Sequence, residues 1–381
     1  MGPSGPTPTR VLHVFSTFAT GGPQVRFAKL AARLGSQFEH RLVAMDGCYD
    51  CMPLVAGRAP VTALDAPPRQ GLPAMLRWFR RLFAAEQPDL VMTYNWGAIE
   101  CALATALPPR WRHLHLEDGF GPEEVAGQLG RRVLFRRLAL CRSQKVIVPS
   151  HVLLRIARET WRLPEHRLAL IPNGIDCAAF TGAPDATLVP GLQRTAETVV
   201  VGTVATLRPE KNIGRLIRVF AQAREQQPGL QLLIVGDGPS RAELEAEAAA
   251  LNLGGVVHFA GHVAEPQRVL GLMDLFALSS NTEQMPISII EAMAAGLPIA
   301  GLAVGDVALM VGGGNRELIS PPGDEAGLAR CLLQLAGDAD LRARLGAENR
   351  VHVGQHYDED QMVAAHAALM LPPATGPGAA A

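Results

Sequence analysis

The sequence is poor in the features that mark several large classes of protein. Only 5% of its 381 residues are aromatic, too few for the stacking platforms that bind single-stranded nucleic acid. The chain contains no run of about eighteen apolar residues, the length that a membrane-spanning helix needs. The formal net charge is −1, so we expect no overall field that attracts a polyanion. A nucleic-acid partner is therefore not predicted.

Cysteines and targeting signals are also scarce. Of the six cysteines only Cys48 and Cys51 have C-x-x-C spacing, and no second pair or nearby histidine completes a zinc set. We interpret this pair as structural or incidental. The N-terminal MGPSGPTPTR has no apolar segment of the secretory kind, and Pro6 stands where myristoylation needs Ser or Thr. A cytoplasmic location is expected.

The sequence is rich in short apolar runs that alternate with amphipathic stretches, a pattern typical of parallel sheets covered by helices. Its length suits two domains. We predict two Rossmann-like domains, at 10–180 and 197–355, joined by a linker at 181–196. A C-terminal helix follows at 356–370, and the ends of the chain, 1–9 and 371–381, are predicted to be tails. A return of the C-terminal helix to the first domain is left open. In such sheets, ligands bind at the carboxyl ends of the strands.

The loop TFATGGPQ (17–24) joins the first predicted strand to the first helix. Gly21 and Gly22 permit a tight turn, and Pro23 fits the first helical position. The free amides of a helix N-terminus favour an anion. The spacing is not G-x-G-x-x-G, so a dinucleotide site is not indicated. An anion-binding turn and a plain tight turn both remain open.

Two further loops follow predicted strands. In VATLRPEKN (204–212), Arg208 and Lys211 combine a guanidinium fork with a point charge, which suits the oxygens of a diphosphate. A pair of solvated surface charges is the alternative. In VGDGP (235–239), Gly236 marks a strand-to-helix turn that is compatible with nucleotide contact but does not require it.

The segment NTEQMPISIIEAMAAGLPIAG (281–301) keeps two carboxylates in an otherwise apolar stretch. Pro286 fits the first turn of a helix, which places Glu283 in the preceding loop and Glu291 in the second turn. Buried carboxylates need partners. We interpret Glu291 as an acceptor for vicinal hydroxyls such as those of ribose, and Glu283 as a contact for the group beyond the phosphates. Surface acids favoured by the helix dipole are the alternative.

Taken together, these motifs resemble those of retaining glycosyltransferases of family four. The GG turn, IPNGID (171–176), LRPEKN (207–212) and the two spaced glutamates occur in the family's order within residues 10–370. The resemblance implies the α/β GT-B fold, two Rossmann-like domains facing across a central cleft. It implies transfer of a hexose from a nucleoside-diphosphate sugar to a glycan or lipid-linked acceptor, with retention of configuration. The context would be bacterial cell-surface polysaccharide or glycolipid synthesis, without a metal or other cofactor.

The resemblance also assigns roles to residues of this sequence. The implied donor-binding set is Gly21, Gly22, Arg208, Lys211, Gly236, Met285, Pro286, Ile287 and Glu291. Many members carry a histidine at the end of a first-domain strand, and three residues compete for that place, namely His115, Glu117 and Asp118. Glu283 would lie near the donor sugar and Asn173 on the acceptor side, in the N-terminal domain.

Three residues depart from the family's pattern. Thr206, Gln284 and Leu309 stand where the family usually has Arg, Gly and Glu. These departures keep open a non-catalytic nucleotide-sugar-binding protein. A nucleotide-sugar 2-epimerase on the same architecture is another alternative.

The stretch GRRVLFRRLALCRSQ (130–144) places basic side chains among apolar ones, namely Arg131, Arg132, Arg136 and Arg137. A basic amphipathic helix suits an anionic lipid surface. We therefore expect peripheral contact with the inner face of the plasma membrane through these arginines. A helix with one solvated basic face is the alternative.

Overall fold

The computed structural model describes residues 8–19, 21–68, 71–120, 122–124 and 127–371. Within them the chain forms two compact units. One contains the described residues up to Ile171 together with those from Met362 onward, and the other is Pro172–Gln361. The predicted tails lie outside the described residues, except for residues 8, 9 and 371.

Seven parallel strands form the sheet of the first unit. They are β1 (Thr9–Phe15), β2 (Phe38–Ala44), β3 (Val61–Ala63), β4 (Leu90–Tyr94), β5 (His113–Leu116), β6 (Lys145–Val148) and β7 (Leu168–Leu170). Their order across the sheet is β3-β2-β1-β4-β5-β6-β7. The helices between them are α1 (Gly22–Leu34), α2 (Leu72–Glu86), α3 (Ile99–Ala106), α4 (Gly130–Leu140) and α5 (His151–Glu159). Successive side chains of a strand face opposite sides of the sheet, so Val11 packs with Phe27 of α1 and Leu12 with Phe79 of α2.

Six parallel strands form the sheet of the second unit. They are β8 (Val199–Val204), β9 (Leu230–Val235), β10 (Val257–Gly261), β11 (Leu275–Leu278), β12 (Ile299–Leu302) and β13 (Ile319–Ser320). Their order is β10-β9-β8-β11-β12-β13. The helices are α6 (Ile213–Gln226), α7 (Arg241–Ala250), α8 (Gln267–Leu270), α9 (Ile287–Ala294), α10 (Val307–Met310), α11 (Glu325–Gly337) and α12 (Ala339–His356).

The last helix, α13 (Glu359–Met370), completes the first unit. Met362 and Met370 are buried in the same core as Val11 of β1. The Arg112 guanidinium donates to the carbonyl oxygens of Leu369 (2.6 Å) and Met370 (2.7 Å), which have no partner within the helix. The chain thus returns to the first unit after forming the second.

The alternation predicted two Rossmann-like domains, and both are present. Several short elements escaped prediction, among them the three-residue edge strand β3 and helix α3, whose eight residues are mostly apolar. Strand β7 stops at Leu170, just before the IPNGID motif, because Pro172 cannot donate to the ladder.

In each sheet successive strands are first added on one side of a central strand and then on its other side. The reversal falls between β1 and β4 in the first unit and between β8 and β11 in the second. At such a point the loops from the carboxyl ends diverge and leave a crevice, where ligands of open α/β sheets bind. The GG turn follows β1, LRPEKN follows β8, and Glu283 follows β11.

Candidate active site

In the second unit, hydrogen bonds tie together the loops that follow β8 and β11. The Asn281 amide donates to the Glu210 carbonyl at 2.8 Å, and the Ser279 hydroxyl donates to the Lys211 carbonyl at 3.2 Å. Asn212 has φ of 45° and caps α6, accepting from the Arg215 amide at 3.2 Å. Two motifs that are distant in sequence therefore meet at one edge of the sheet.

Lys211 and Glu283 form an ion pair at this edge. The Lys211 ammonium donates to Glu283 Oε1 at 2.7 Å, and the Ser280 hydroxyl donates to the same oxygen at 2.7 Å. The Lys211 side chain is 26% exposed and that of Glu283 is 9% exposed. An ammonium has three N–H donors, and this pair occupies one of them. Lys211 can therefore bind an anion without giving up Glu283.

Helix α9 begins beside this ion pair. Pro286 precedes its first residue, Ile287, and no side chain caps its N-terminus. Uncapped amides at a helix start favour an anionic ligand. Glu283 lies in the loop before the helix and Glu291 lies within it, which confirms their predicted locations. Met285 is buried in the core of the unit.

Asn173 lies beside the same loop. Its side-chain amide donates to the Met285 carbonyl at 3.4 Å. Asn173 belongs to the second compact unit, whereas the predicted domain boundary at residue 180 put it in the first domain. The reason is local: a Cβ at Gly174 would collide with the Asp358 carbonyl, so this turn packs against the end of the second unit.

Arg208 and Gly236 differ from Lys211 in their surroundings. Arg208 is 61% exposed, and its nearest acid is Glu210 at 3.9 Å. The Gly236 amide already donates to the Gly261 carbonyl at 2.7 Å, and a Cβ at Gly236 would collide with the backbone of Ala205. Close packing thus accounts for this glycine, and its role in donor binding stays a prediction, as does that of Arg208.

In the first unit a second polar cluster lies at the carboxyl ends of β4 and β5. Helix α1 begins at Gly22 with Gly21 as its cap, so no side chain satisfies its first amides. From the next turn Arg26 reaches Asp118 and donates to both carboxylate oxygens, at 2.6 and 2.8 Å. The side chain of Asn95, which follows β4, accepts from the Asp118 amide at 2.7 Å.

Arg26 was not predicted as a site residue. It is 8% exposed on the inner face of α1, next to Phe27. Burial lowers its pKa, but the charge of Asp118 and the hydrogen bonds to it raise that pKa on balance. A buried arginine requires a partner, so its position on the apolar side of a predicted helix is the signal that could have found it.

The three residues that compete for the family's histidine position differ in access. The side chains of His115 and Glu117 are fully buried, whereas that of Asp118 is 16% exposed. His115 lies within hydrogen-bonding distance of the Thr93 hydroxyl, at 2.8 Å. The exposure favours Asp118 as the residue that touches a ligand, and the assignment stays a prediction.

Comparison with known proteins identifies the family of this chain. Residues 21–174 match the glycosyl transferase 4-like domain, and residues 190–352 match glycosyl transferases group 1. The chain belongs to these families of glycosyltransferases. One relative is the 2-deoxystreptamine N-acetyl-D-glucosaminyltransferase of Streptomyces fradiae, 27% identical over 89% of this chain and 91% of that protein. Another is the D-inositol 3-phosphate glycosyltransferase of Streptomyces scabiei, 25% identical over 90% and 85%.

Solved structures share the fold of this glycosyltransferase. Anabaena HepE in complex with UDP has a TM-score of 0.79 and 20% identity, with 94% of this chain and 99% of that chain covered. WaaG, a glycosyltransferase involved in lipopolysaccharide biosynthesis, has a TM-score of 0.70 and 16% identity, with 96% and 100% covered. The two-domain GT-B prediction is thereby confirmed.

The prediction that four arginines of α4 form a basic membrane face is wrong for three of them. Arg136 is fully buried and pairs with Glu124 at 3.0 Å, and Arg132 is 14% exposed and contacts the same carboxylate at 3.1 Å. Arg137 donates to the Thr160 carbonyl. Of the four, Arg131 alone is exposed. Arg132 and Arg136 turn inward because the buried carboxylate of Glu124 lies beneath the helix, whereas a backbone carbonyl holds Arg137.

None of the helices in the described part of the glycosyltransferase has both the length and the apolarity to cross a bilayer. Nor do the described residues bring together three or more His, Cys, Asp or Glu side chains that could hold a metal ion. Metal independence remains a prediction for experiment.

Proposed function

We propose that the glycosyltransferase moves a hexose from a nucleoside-diphosphate sugar, bound at the carboxyl edge of the second sheet, to a glycan or lipid-linked acceptor with retention of configuration. The observation that carries this proposal is the ion pair of Lys211 and Glu283 at the reversal between β8 and β11. Relatives named as glycosyltransferases support it, as does the structural neighbour HepE in complex with UDP-glucose.

The contacts of Lys211 and Glu283 suggest how they divide the work. Negative charge grows on the diphosphate as the sugar leaves, and an ammonium beside it stabilises that charge. Glu283 Oε1 is occupied by Lys211 and Ser280, so Oε2 is the oxygen available to accept from a sugar hydroxyl. The uncapped start of α9 adds backbone amides for the phosphates. The cluster can therefore bind both halves of one donor.

A thermal-shift panel of UDP-, GDP- and ADP-sugars tests donor binding directly. We expect one nucleotide series to raise the melting temperature, because a ligand that binds the native state stabilises it. Product analysis then separates transfer from 2-epimerisation, which needs no acceptor. A panel without any shift, or a donor that is bound but never consumed with glycan or glycolipid acceptors, contradicts the proposal.

We also propose that the first unit contacts an anionic membrane surface. Residues 1–171 and 362–381 carry 22 Lys and Arg against 13 Asp and Glu, a net charge of +9. The outer side of α4 exposes Leu134 (56%) and Leu138 (57%), and Arg131 and Arg142 are exposed near them. Apolar side chains flanked by cations suit a surface of anionic lipid. This contact would bring the enzyme to a lipid-linked acceptor.

Co-sedimentation with phosphatidylcholine vesicles, with and without phosphatidylglycerol, tests this contact. We expect binding only to the anionic vesicles, and weaker binding as salt rises. Leu134→Gln with Leu138→Gln should reduce it, whereas Val351→Gln, at an equally exposed position of the second unit, should not. No pelleting at low salt, or equal loss in both variants, overturns the membrane proposal.

A further inference from the structure

A continuous row of polar side chains runs beneath the helices of the first unit along β5. The Ser143 hydroxyl lies 2.9 Å from His113 Nδ1, and His113 Nε2 lies 2.8 Å from the Thr93 hydroxyl. The same hydroxyl lies 2.8 Å from His115 Nδ1. His115 Nε2 lies 3.6 Å from Glu117 Oε2. All five residues are at most 2% exposed. The row links the amino edge of the sheet, where β5 begins, to its carboxyl edge, where ligands bind.

The far end of the row is a closed group of charges. Glu117 and Glu124 face the guanidinium of Arg136, at 3.4 and 3.0 Å, and Glu124 also meets Arg132. Arg132 also pairs with Glu123 at 2.5 Å, but the Glu123 side chain is 48% exposed, so solvent screens its charge. Among the buried groups two acids face two cations, so a second ring proton on His115 would add a buried charge without a counter-charge. His115 is therefore neutral and carries one ring proton.

With one ring proton on each histidine, two proton orders satisfy the hydrogen bonds of the row, and the Glu117 carboxylate decides between them. Neither His115 Nε2 nor the Glu117 oxygens have a hydrogen-bond partner among the described residues, and Nε2 lies 3.6 Å from Oε2. A bare Nε2 would direct its lone pair at the carboxylate, so the repulsion places the proton on Nε2. Then Nδ1 of His115 accepts from the Thr93 hydroxyl, and that oxygen accepts from Nε2–H of His113. Nδ1 of His113 in turn accepts from Ser143. Burial lowers the pKa of His113 well below its usual value, which agrees with a neutral ring.

Arg136, at the end of the row, also holds the loop that follows β5. Its guanidinium carbon lies 4.9 Å from the ring centre of Trp96 and 5.2 Å from those of Phe120 and Trp161. The same guanidinium donates to the carboxylate of Glu124, which lies in this loop about six residues after Asp118. Because Asp118 directly follows Glu117 in the chain, the orientation of Glu117 against Arg136 also affects the position of Asp118.

We infer that Ser143, His113 and Thr93 are positioning residues for glycosyl transfer: they fix His115 as its Nε2–H tautomer, direct that proton at Glu117, and so hold Asp118 and the loop after β5 in place. The inference rests on the proposed function for its catalytic consequence. The proton order itself follows from the contacts alone.

Nitrogen-15 NMR of the imidazoles in the full chain at neutral pH tests the proton order. We expect both His113 and His115 to carry the proton on Nε2 and none on Nδ1. In Thr93→Val, His113 loses its acceptor on one side and should move its proton to Nδ1, donating to Ser143, while Thr93→Ser keeps the wild-type pattern. An Nδ1–H tautomer or an imidazolium at either position in the wild type, or an unchanged His113 in Thr93→Val, overturns the inference.

Kinetics with the donor that the nucleotide-sugar panel identifies test the positioning role. Thr93→Val should lower kcat about tenfold, the scale of a small misplacement of reacting groups, and leave the donor KM within about twofold. Thr93→Ser should restore most of the rate. The control is Thr105→Val, which removes an equally buried hydroxyl that donates only to the Ala102 carbonyl of α3.

Equal losses of rate in Thr93→Val and Thr105→Val would show general destabilisation and remove the positioning role. A wild-type chain that turns over no nucleotide sugar would refute the proposed function and the positioning role together. In that case the NMR spectra would still test the proton order independently of activity, so the two failures can be told apart.

Discussion

The two units share one architecture but carry opposite charge. The first has a net charge of +9, while residues 172–361 carry 13 Lys and Arg against 23 Asp and Glu, a net of −10. The whole-chain value of −1 conceals this division, and the expectation that no field acts on a polyanion holds only for the sum. Screening limits such fields to roughly 8–10 Å at physiological salt, so each unit presents its own charge to a partner.

The proposed site for an anionic donor lies on the acidic unit, so the proposal requires local geometry to outweigh net charge. Lys211 pairs with Glu283 in the loop before the uncapped start of α9, and both the ammonium and the helix amides would favour an anionic ligand. In the first unit, by contrast, much of the polar chemistry is buried and closed on itself, as in the group around Arg136. The units thus use ion pairs differently, one for internal order and the other at an open edge.

The contrast between buried and exposed ion pairs is tested most strongly by Arg136→Met, for which we expect the largest loss of stability. The change leaves Glu117 and Glu124 buried with less cationic charge, and losing one partner of a buried pair costs about 3–5 kcal/mol. Urea unfolding measures it. The control is Arg218→Met in the second unit, whose exposed pair with Glu247 should cost about 1 kcal/mol or less. Similar losses in both variants would mean that the two units do not differ in this way.

Acid should destabilise the first unit through its buried imidazoles. Burial lowers the pKa of His40 to about 4, below the 6.5 of an exposed histidine. The unfolded chain therefore takes up a proton first as pH falls below 6.5, and stability is lost down to about pH 4, by up to about 3 kcal/mol for this group.

Unfolding by urea at pH 7 and pH 5 checks this pH dependence. His40→Gln should make stability fall by about 2 kcal/mol less between the two values than in the wild type. His352→Gln, which removes a partly exposed imidazole of the second unit, should change the difference less. A wild-type stability that is equal at both pH values would contradict the prediction.

The smallest of the three expected effects concerns which unit binds the donor. Lys211→Ala should weaken donor binding by about 1–3 kcal/mol, the value of a hydrogen bond to a charged group. Asp118→Asn, in the first unit, should leave donor affinity within about 0.5 kcal/mol and lower the rate of transfer. Calorimetry with the identified nucleotide sugar measures both. Equal weakening in the two variants would show that the donor is not held by the second unit alone.

Much of the fold was predictable because the alternation of apolar and amphipathic segments has a physical cause. A strand buried on both faces must be apolar throughout, and its covering helix must be apolar on one side. The locations of Glu283 and Glu291 were predictable because proline is disfavoured in a helix interior, so a helix over these residues has to begin close to Pro286, its N-cap in the structure. Strand β3 was missed because three residues are too few to show a period.

The arginines of α4 show where sequence reasoning failed. Their spacing was interpreted as a solvated basic face, because a sequence shows that a residue is arginine but not whether its side chain is buried. Arg136 is buried only because Glu117 and Glu124, from a strand end and a loop, lie beneath the helix. Arg26 is the complementary case, a cation passed over because its partner Asp118 is distant in sequence.

The sequence by itself determined the two alternating halves, the loops in which site residues lie, and the resemblance that the family comparison confirmed. These follow from local rules of turn, cap and periodicity, which act over a few residues. Only the tertiary structure decided which charges meet: Lys211 with Glu283, Arg26 with Asp118, and the row from Ser143 to Glu117. Such pairs depend on which strands become neighbours, and strand order is set by the packing of the whole sheet.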